Sequence, residues 1–462
     1  MVGVRKLLLA FVLVLVACGD STQSTTTSAV VTDTVPSIPT ATTLGTQPLE
    51  IQDCTTPTVH FSALCEVYEL VQTWHVDRPV PPAQLAEVAL DALETHISTQ
   101  TEERPRTLFC AIPDEAFEAF CEELAAMVWE SGIAIGPALE EAVVAMSDLG
   151  LDPFTYYVPP EQVGSFRQNG VVGGVGVLLD ATNPVGSKCA RIEETCPLEI
   201  VVVLENNPGA EAGLMAGDRI ISVNGHPVEG QGFAATATEI AGDETGTVRI
   251  TVDRGGDTVE YAIEREPISV PTVDVSLPIS DVGYLRIPDF EADITDLVQQ
   301  ALASLVEASP DTIVIDLRDN PGGFVDTVIE VASQFMDGGT VLETTGPNEN
   351  SRYPAEDSGL ATNQRLIILV NRGTASAAEI LAGALRDERS AVLVGSNTFG
   401  KDAVQIPFQL RNGGELYVAV ARWSTPSGST AANGGLTPDR ELKFPTDSSV
   451  DELVRAALDA AS

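Results

Sequence analysis

Leu369-Val370-Asn371-Arg372-Gly373-Thr374-Ala375-Ser376-Ala377-Ala378-Glu379 reads as an apolar strand that ends in a glycine-containing turn and resumes as the start of a helix. The same order stands upstream in Ile315-Asp316-Leu317-Arg318-Asp319-Asn320-Pro321-Gly322-Gly323. Around these two runs the pattern repeats. Strand-like Val282–Ile287 precedes a helix from about Asp293, Thr312–Leu317 precedes a helix after Gly323, and Arg365–Val370 precedes the helix near Ser376. Strands alternating with helices in this way predict an α/β core beyond Pro271.

Working outward, Val171 to Arg265 holds short strands instead: Val171–Leu179, Ile200–Leu204, Arg219–Val223, and a hairpin of Val248–Val252 with Val259–Ile263 around Gly255-Gly256. Asn207-Pro208-Gly209-Ala210-Glu211-Ala212-Gly213-Leu214 and the following Ala216-Gly217-Asp218-Arg219-Ile220-Ile221-Ser222-Val223-Asn224-Gly225 resemble the central signature of bacterial-type PDZ domains. In physical terms Pro and Gly open a short helix, Gly217-Asp218 end it, and Asn224-Gly225 turn the chain after a buried strand. Gly173-Gly174-Val175-Gly176 suit a nest of backbone N–H groups for a terminal carboxylate, with the strand through Val177 pairing to the incoming peptide. Glycines that merely let a strand bend are the structural alternative.

Between Cys54 and Leu149 apolar residues recur at helical spacing, as in Leu85, Val88, Ala89, Ala92 and Leu93, or Phe117, Phe120, Leu124 and Val128. Asp152-Pro153 closes this segment, because a residue before proline avoids the helical region. The expected division is a signal segment at 1–17, a tether at 18–50, a helical region at 51–158, a PDZ domain at 159–266 and a catalytic domain at 267–462.

Arg5 and Lys6 precede an apolar run from Leu7 to Ala17, too short to span a bilayer and suited to a signal peptide. Leu15-Val16-Ala17-Cys18 resembles the bacterial lipobox, which implies cleavage before Cys18, lipid on that cysteine, and anchorage at the outer face of a bacterial cell membrane; an ordinary signal peptide is the plainer alternative. From Ser21 to Pro48 the chain is nearly all Thr, Ser, Pro, Val and Ala and has nothing with which to build a core. The remaining cysteines form close pairs, Cys54 with Cys65, Cys110 with Cys121 and Cys189 with Cys196, and an exported chain suits three local disulfides. A formal charge of −42 argues against nucleic acid as a partner.

Ser376 falls at a helix N-terminus, where free N–H groups and the helix dipole favour an oxyanion, although a serine there is most often a simple cap. The four histidines, His60, His75, His96 and His226, lie outside the segment that holds Ser376, which disfavours a Ser-His-Asp triad while sequence distance leaves one open. Of four lysines, Lys6 falls in the signal segment, Lys188 in the PDZ insertion and Lys443 near the end, leaving Lys401 as the candidate base. A lysine base must be neutral, so its pKa has to fall several units from about 10.4, as burial beside Phe399 and Val404 would achieve.

These runs, with Asp152-Pro153-Phe154-Thr155, Gly395 to Gln405, Thr425-Pro426-Ser427-Gly428 and Thr437-Pro438-Asp439, resemble the C-terminal processing (tail-specific) serine peptidases over roughly residues 145 to 445. The resemblance implies a multidomain α/β (α+β) fold, a crotonase-like spiral peptidase core with an inserted β-rich PDZ domain and an N-terminal helical region. It further implies Ser376 as nucleophile, Lys401 as base and Gln405 orienting it, an oxyanion site of the N–H groups of Gly322 or Gly323 and of Ala377, and tail capture along Gly174, Val175, Gly176 and Val177. Polypeptides with free C-termini are the implied substrates, with no metal or organic cofactor. Asp402 stands where the family usually has glycine, and the Gly186–Pro197 insertion lies outside its pattern. A catalytically silent tail-binding lipoprotein, which a Lys401–Asp402 ion pair would favour, and acyl chemistry on a small thioester are the competing readings.

Overall fold

A computed structural model describes residues 50–95, 109–131, 134–148, 151–160, 163, 173–184, 188–204, 207–242, 246–268, 273–292, 294–347, 349–356, 359–432, 434–445 and 448–462. Cys18, the signal segment and the tether up to its last residue lie outside the described residues, as do Val171, Val172 and Gly186.

A short parallel pair, β1 (Glu50–Asp53) and β2 (Phe109–Ile112), accompanies four helices: α1 (Val59–Trp74), α2 (Pro82–Thr95), α3 (Glu118–Ser131) and α4 (Ile135–Asp148). The apolar stripes read from the sequence are the buried ones: Leu85, Ala89, Leu93, Phe120, Leu124 and Val128 share one core. That core is completed by Tyr157 of the strand that follows and by Leu416 and Val418 from far along the chain, so the helices do not close it by themselves. Disulfides Cys54–Cys65 and Cys110–Cys121 join neighbouring turns at Cα separations of 5.7 and 6.1 Å, as expected from their spacing.

After β3 (Tyr156–Val158) comes the PDZ module: β4 (Gly173–Gly174), β5 (Val177–Ala181), β6 (Leu198–Val203), α5 (Pro208–Ala212), β7 (Arg219–Val223), β8 (His226–Pro227), α6 (Phe233–Ala241), β9 (Thr247–Arg254), β10 (Asp257–Glu264) and β11 (Glu266–Pro267). Its sheet runs β10-β9-β7-β6-β5, leaving β5 at the edge, and Val175, Ile200, Ile220, Ile250 and Ile263 belong to a core of its own. The helix α5 ends at Gly213 rather than at Gly217-Asp218, because Gly213 adopts the left-handed conformation at φ +95° that closes a helix, while Asp218 forms a bidentate pair with Arg254. Entry and exit of the module pair with each other, Gly174 opposite Glu266 and Gly173 opposite Pro267, as a two-residue neck.

The rest of the chain runs β12 (Asp274–Ile279), β13 (Val282–Arg286), α7 (Ile294–Glu307), β14 (Thr312–Asp316), α8 (Val325–Ser333), β15 (Thr340–Thr345), β16 (Asn350–Pro354), β17 (Arg365–Val370), α9 (Ala377–Arg389), β18 (Val392–Gly395), β19 (Ala403–Gln409), β20 (Glu415–Ser424), β21 (Arg440–Glu441) and α10 (Val450–Ala460). One sheet has the order β12-β13-β14-β17-β18-β21, parallel throughout except for β12. Its central strands β14 and β17 are apolar on both faces. Ile313, Ile315, Leu366 and Ile368 pack with Val298, Val328 and Leu381 from α7, α8 and α9, while the alternate residues Val314, Ile367 and Leu369 pack with Val454 and Ala457 of α10. A second sheet, β16-β15-β20-β19, takes β3 onto β20, tying residues before the PDZ module to strands after it. The chain is therefore a multidomain α/β protein with an inserted β-rich module.

Register sets the ends of the parallel strands level, with Arg286 opposite Asp316, Asp316 opposite Leu369 and Val370 opposite Gly395. The loops that follow β13, β14, β17 and β18 thus leave one edge of the sheet together, where open parallel sheets place their sites. Gly395 makes the last of these alignments possible: its φ is +143°, and a Cβ there would stand 1.9 Å from the Val370 carbonyl oxygen. Replacing Gly395 with Ala is expected to cost about 2–4 kcal/mol of stability, read as a lowered denaturation midpoint; full retention of stability would contradict this close approach.

Candidate active site

The loop after β17 is fastened before it reaches Ser376. Asn371 donates to Asp319 Oδ1 at 2.7 Å and accepts from the N–H groups of Asp319 and Gly373, Thr374 Oγ1 donates to the Leu317 carbonyl at 2.7 Å, and Ala375 N donates to the Asn320 carbonyl at 2.9 Å. The chain then passes through Ser376 at φ 53° and ψ −116°, outside the regions an L-residue prefers, and α9 begins at Ala377. Such a conformation persists only where its surroundings hold it.

Glu379 does much of that holding. This carboxylate is fully buried. Its Oε2 accepts from Ser376 N at 2.9 Å and Lys401 N at 3.0 Å, and its Oε1 accepts from Gly400 N at 2.8 Å and Thr398 Oγ1 at 2.5 Å. The Ser376 and Lys401 amides therefore meet on a single oxygen atom. Burial pushes the Glu379 carboxyl up to about 7, while the four donors work against the rise.

Lys401 lines the cavity beside this cluster. Burial pulls its pKa down to about 8, opposed by the carboxylates of Glu379 and Asp152. Its Nζ stands 6.0 Å from the centre of the Phe154 ring, and among the described residues it has no ion-pair partner. Asp402 turns away from it to meet Arg422 at 3.1 Å, which removes the ion pair that would have favoured a silent binder. Gln405 sits at a bulge in β19 and donates to the carbonyl of Phe154 rather than to Lys401, so it acts on the Asp152–Thr155 segment that walls the lysine.

Gly322 packs directly against the nucleophile candidate: a Cβ there would lie 2.8 Å from Ser376 Cβ and 3.0 Å from Ala377 N. Its own N–H donates to Asn320 Oδ1 at 2.9 Å, and Asn320 Nδ2 donates to the Ile287 carbonyl. Among the described residues, the N–H groups of Gly323 and Ala377 meet no protein acceptor. His75 is buried with Nε2 at 2.5 Å from Asp152 Oδ2 and Nδ1 accepting from Asp77 N. Both ring nitrogens are thus engaged, leaving none to take a proton from Ser376.

A cavity of about 540 Å³ joins these groups to the PDZ module. Gly174, Val175, Gly176 and Val177 line it together with Phe233 and Ile240 of α6, and Gly322, Gly323, Phe399, Lys401 and Gln405 line its other side. The edge strand β5, Lys401, Gln405 and the Gly322–Gly323 loop therefore face one space, which reaches Ala375, the residue before Ser376. Lys188, set aside in the sequence because it lies in the insertion, reaches the same wall: its Nζ is 3.5 Å from the Phe399 ring centre and 2.5 Å from Asp180 Oδ1. Asp180 also binds Arg372 at 2.8 Å, so the module is clamped to the loop that carries Ser376. The Cys189–Cys196 disulfide closes the insertion next to Lys188.

Sequence reasoning passed over Glu379, although its place three residues after Ser376 is the spacing of a helix capping box. No local signal marked Lys188 or the His75–Asp152 pair, whose positions depend on contacts between distant segments.

Residues 281–442 match Peptidase family S41, and residues 199–254 match a PDZ domain. A carboxyl-terminal-processing protease of Synechocystis sp. is 33% identical over 336 residues, which cover 70% of this chain and 75% of that protein. The chain belongs to peptidase family S41. A second S41-type relative, the carboxy-terminal-processing protease of Bartonella bacilliformis, is 30% identical over 353 residues, 74% of each chain. The solved structure of the photosystem II D1 C-terminal processing protease has the same fold, with a TM-score of 0.63 at 23% identity over 87% of this chain and 98% of that one. Membership makes the chain a serine-type peptidase with polypeptide substrates.

The four donors on Glu379 need an acceptor with two oxygens, and glutamine offers one oxygen and an opposing NH2 group. Glu379→Gln is expected to lose about 2–4 kcal/mol of stability, measured by denaturant unfolding. Because the folded carboxyl titrates near 7 and an ordinary one near 4.5, the folded state holds an extra proton between those values, so this group's contribution is full below the window and lost as pH rises through it. The variant should lack that part of the pH dependence of stability, and an unchanged slope would count against a buried titrating Glu379.

Proposed function

We propose that the chain is a lipid-anchored, extracytoplasmic endopeptidase that cuts polypeptides near their C-termini with Ser376 as nucleophile and Lys401 as general base. The observation that carries this reading is the single Glu379 oxygen shared by the Ser376 and Lys401 amides, beside a lysine whose burial brings its pKa to about 8. At that value about a tenth of Lys401 is neutral at pH 7 and half at pH 8.

In the proposed cycle Lys401 Nζ takes the Ser376 Oγ proton as that oxygen attacks the peptide carbonyl. The N–H groups of Ala377 and Gly323 receive the developing oxyanion, with Gly322 able to contribute when its bond to Asn320 is exchanged. Lys401 then gives the proton to the leaving amine, the bond to it breaks, and water activated by the neutral lysine releases the acyl group. Gln405 supports the base indirectly, by holding the Phe154 carbonyl and with it the wall that keeps Lys401 from solvent. Substrate tails lie along β5 with the carboxylate at Gly173–Gly176.

Export and anchorage rest on the basic, apolar and small-residue order ending at Cys18, and three disulfides suit an oxidising compartment. Purified protein from residue 50 onward is expected to cleave an unstructured polypeptide with an apolar C-terminus, with kcat/KM rising as pH increases through about 8. Ser376→Ala and Lys401→Ala should each lower that rate by about 10³-fold or more while still binding the tail; cleavage retained in either variant would sink the dyad.

A further inference from the structure

Arg286 ends β13 and lines the same cavity as Gly322, Gly323 and Lys401. Its Nε is buried and donates to no acceptor among the described residues. Other guanidinium groups have acceptors: Arg254 meets Asp218, Arg318 meets Asp316, Arg372 meets Asp180 and Arg422 meets Asp402, while Arg265 and Arg389 donate to backbone carbonyls. Among the described residues Arg286 has neither, in a chain with 67 acidic residues and only 25 basic ones. Four carboxylates line the same cavity: Asp180 is engaged by Lys188 and Arg372, Asp319 by Asn371, and among the described residues no ion pair joins Arg286 to Asp289 or Glu291.

A buried cationic donor without a counter-ion is unfavourable on its own, and a carboxylate brought by a ligand satisfies both its charge and its geometry. The net charge of the protein otherwise repels a carboxylate, so a local cation is what admits one to the cavity. We propose that Arg286 forms a carboxylate subsite inside the catalytic cavity, which holds an acidic group of the bound polypeptide next to the Gly322–Gly323 loop. This subsite is separate from the glycine nest of the PDZ module, and it favours substrates that present a carboxylate close to the scissile bond. That group is either a C-terminus or a glutamate side chain. The inference rests on the peptidase reading above, and its test separates the two.

Four peptides of one apolar sequence serve as probes: a free acid, its C-terminal amide, and two amides with Glu or Gln at one position near the cleavage site. The wild-type full chain should show higher kcat/KM for a carboxylate-bearing peptide than for its neutral counterpart, and Arg286→Gln should reduce that ratio by about tenfold, with Arg286→Lys falling between. A reduced acid-to-amide ratio assigns the subsite to the C-terminus, and a reduced Glu-to-Gln ratio assigns it to a side chain. Ratios equal in wild type and Arg286→Gln overturn the proposal. Affinities of the same peptides for Ser376→Ala and for Ser376→Ala with Arg286→Gln give the comparison without turnover, so absence of peptidase activity is told apart from absence of the subsite. Unfolding midpoints of both variants exclude a loss of fold as the cause.

Discussion

One buried carboxylate joins the two halves of the site. Among the described residues Glu379 has no ion-pair partner, and its charge is met instead by donors from Ser376, Thr398, Gly400 and Lys401. Removing a carboxylate from water is costly, and donors of this number are what make the burial tolerable. The arrangement places two loops at fixed distance, because each has its backbone bound to the same group. It also explains how Ser376 keeps a backbone conformation that an isolated turn would abandon.

That carboxylate could do nothing if the loops did not leave the sheet together. Level strand ends at Arg286, Asp316, Val370 and Gly395 supply this condition, and cross-links between loops complete it: Asn320 reaches Ile287 and Ala375, and the Phe399 N–H reaches the Thr374 carbonyl. The apolar content of β14 and β17 on both faces is what commits these strands to the middle of a covered sheet. Local sequence, register and site geometry are here one chain of causes.

The strand-turn-helix runs were legible because hydrophobic period and glycine punctuation act over a few residues. So were the three cysteine pairs, whose partners lie close along the chain. Positions that depend on folding over long distances were not. Lys188 reads as a loop lysine until the PDZ sheet sets it on Phe399, and Asp402 reads as a threat to Lys401 until Arg422 claims it. Gln405 reads as a partner of the lysine, whereas the bulge in β19 turns it toward Phe154. The helical segment reads as a unit, yet it borrows Leu416 and Val418 to close its core.

The neck formed by Gly173–Gly174 and Glu266–Pro267 has a mechanical meaning. A module that enters and leaves through one short ladder can pivot there, and its further grip on the body includes Asp180 and Glu199 on Arg372, Lys188 on Phe399, and Arg191 beside Asp91 of α2. Pivot and latch lie on the same module, and Asp180 and Lys188 of the latch line the cavity. A rotation of the module about its neck would therefore load this latch, and through Arg372 it would be passed to the loop that carries Ser376.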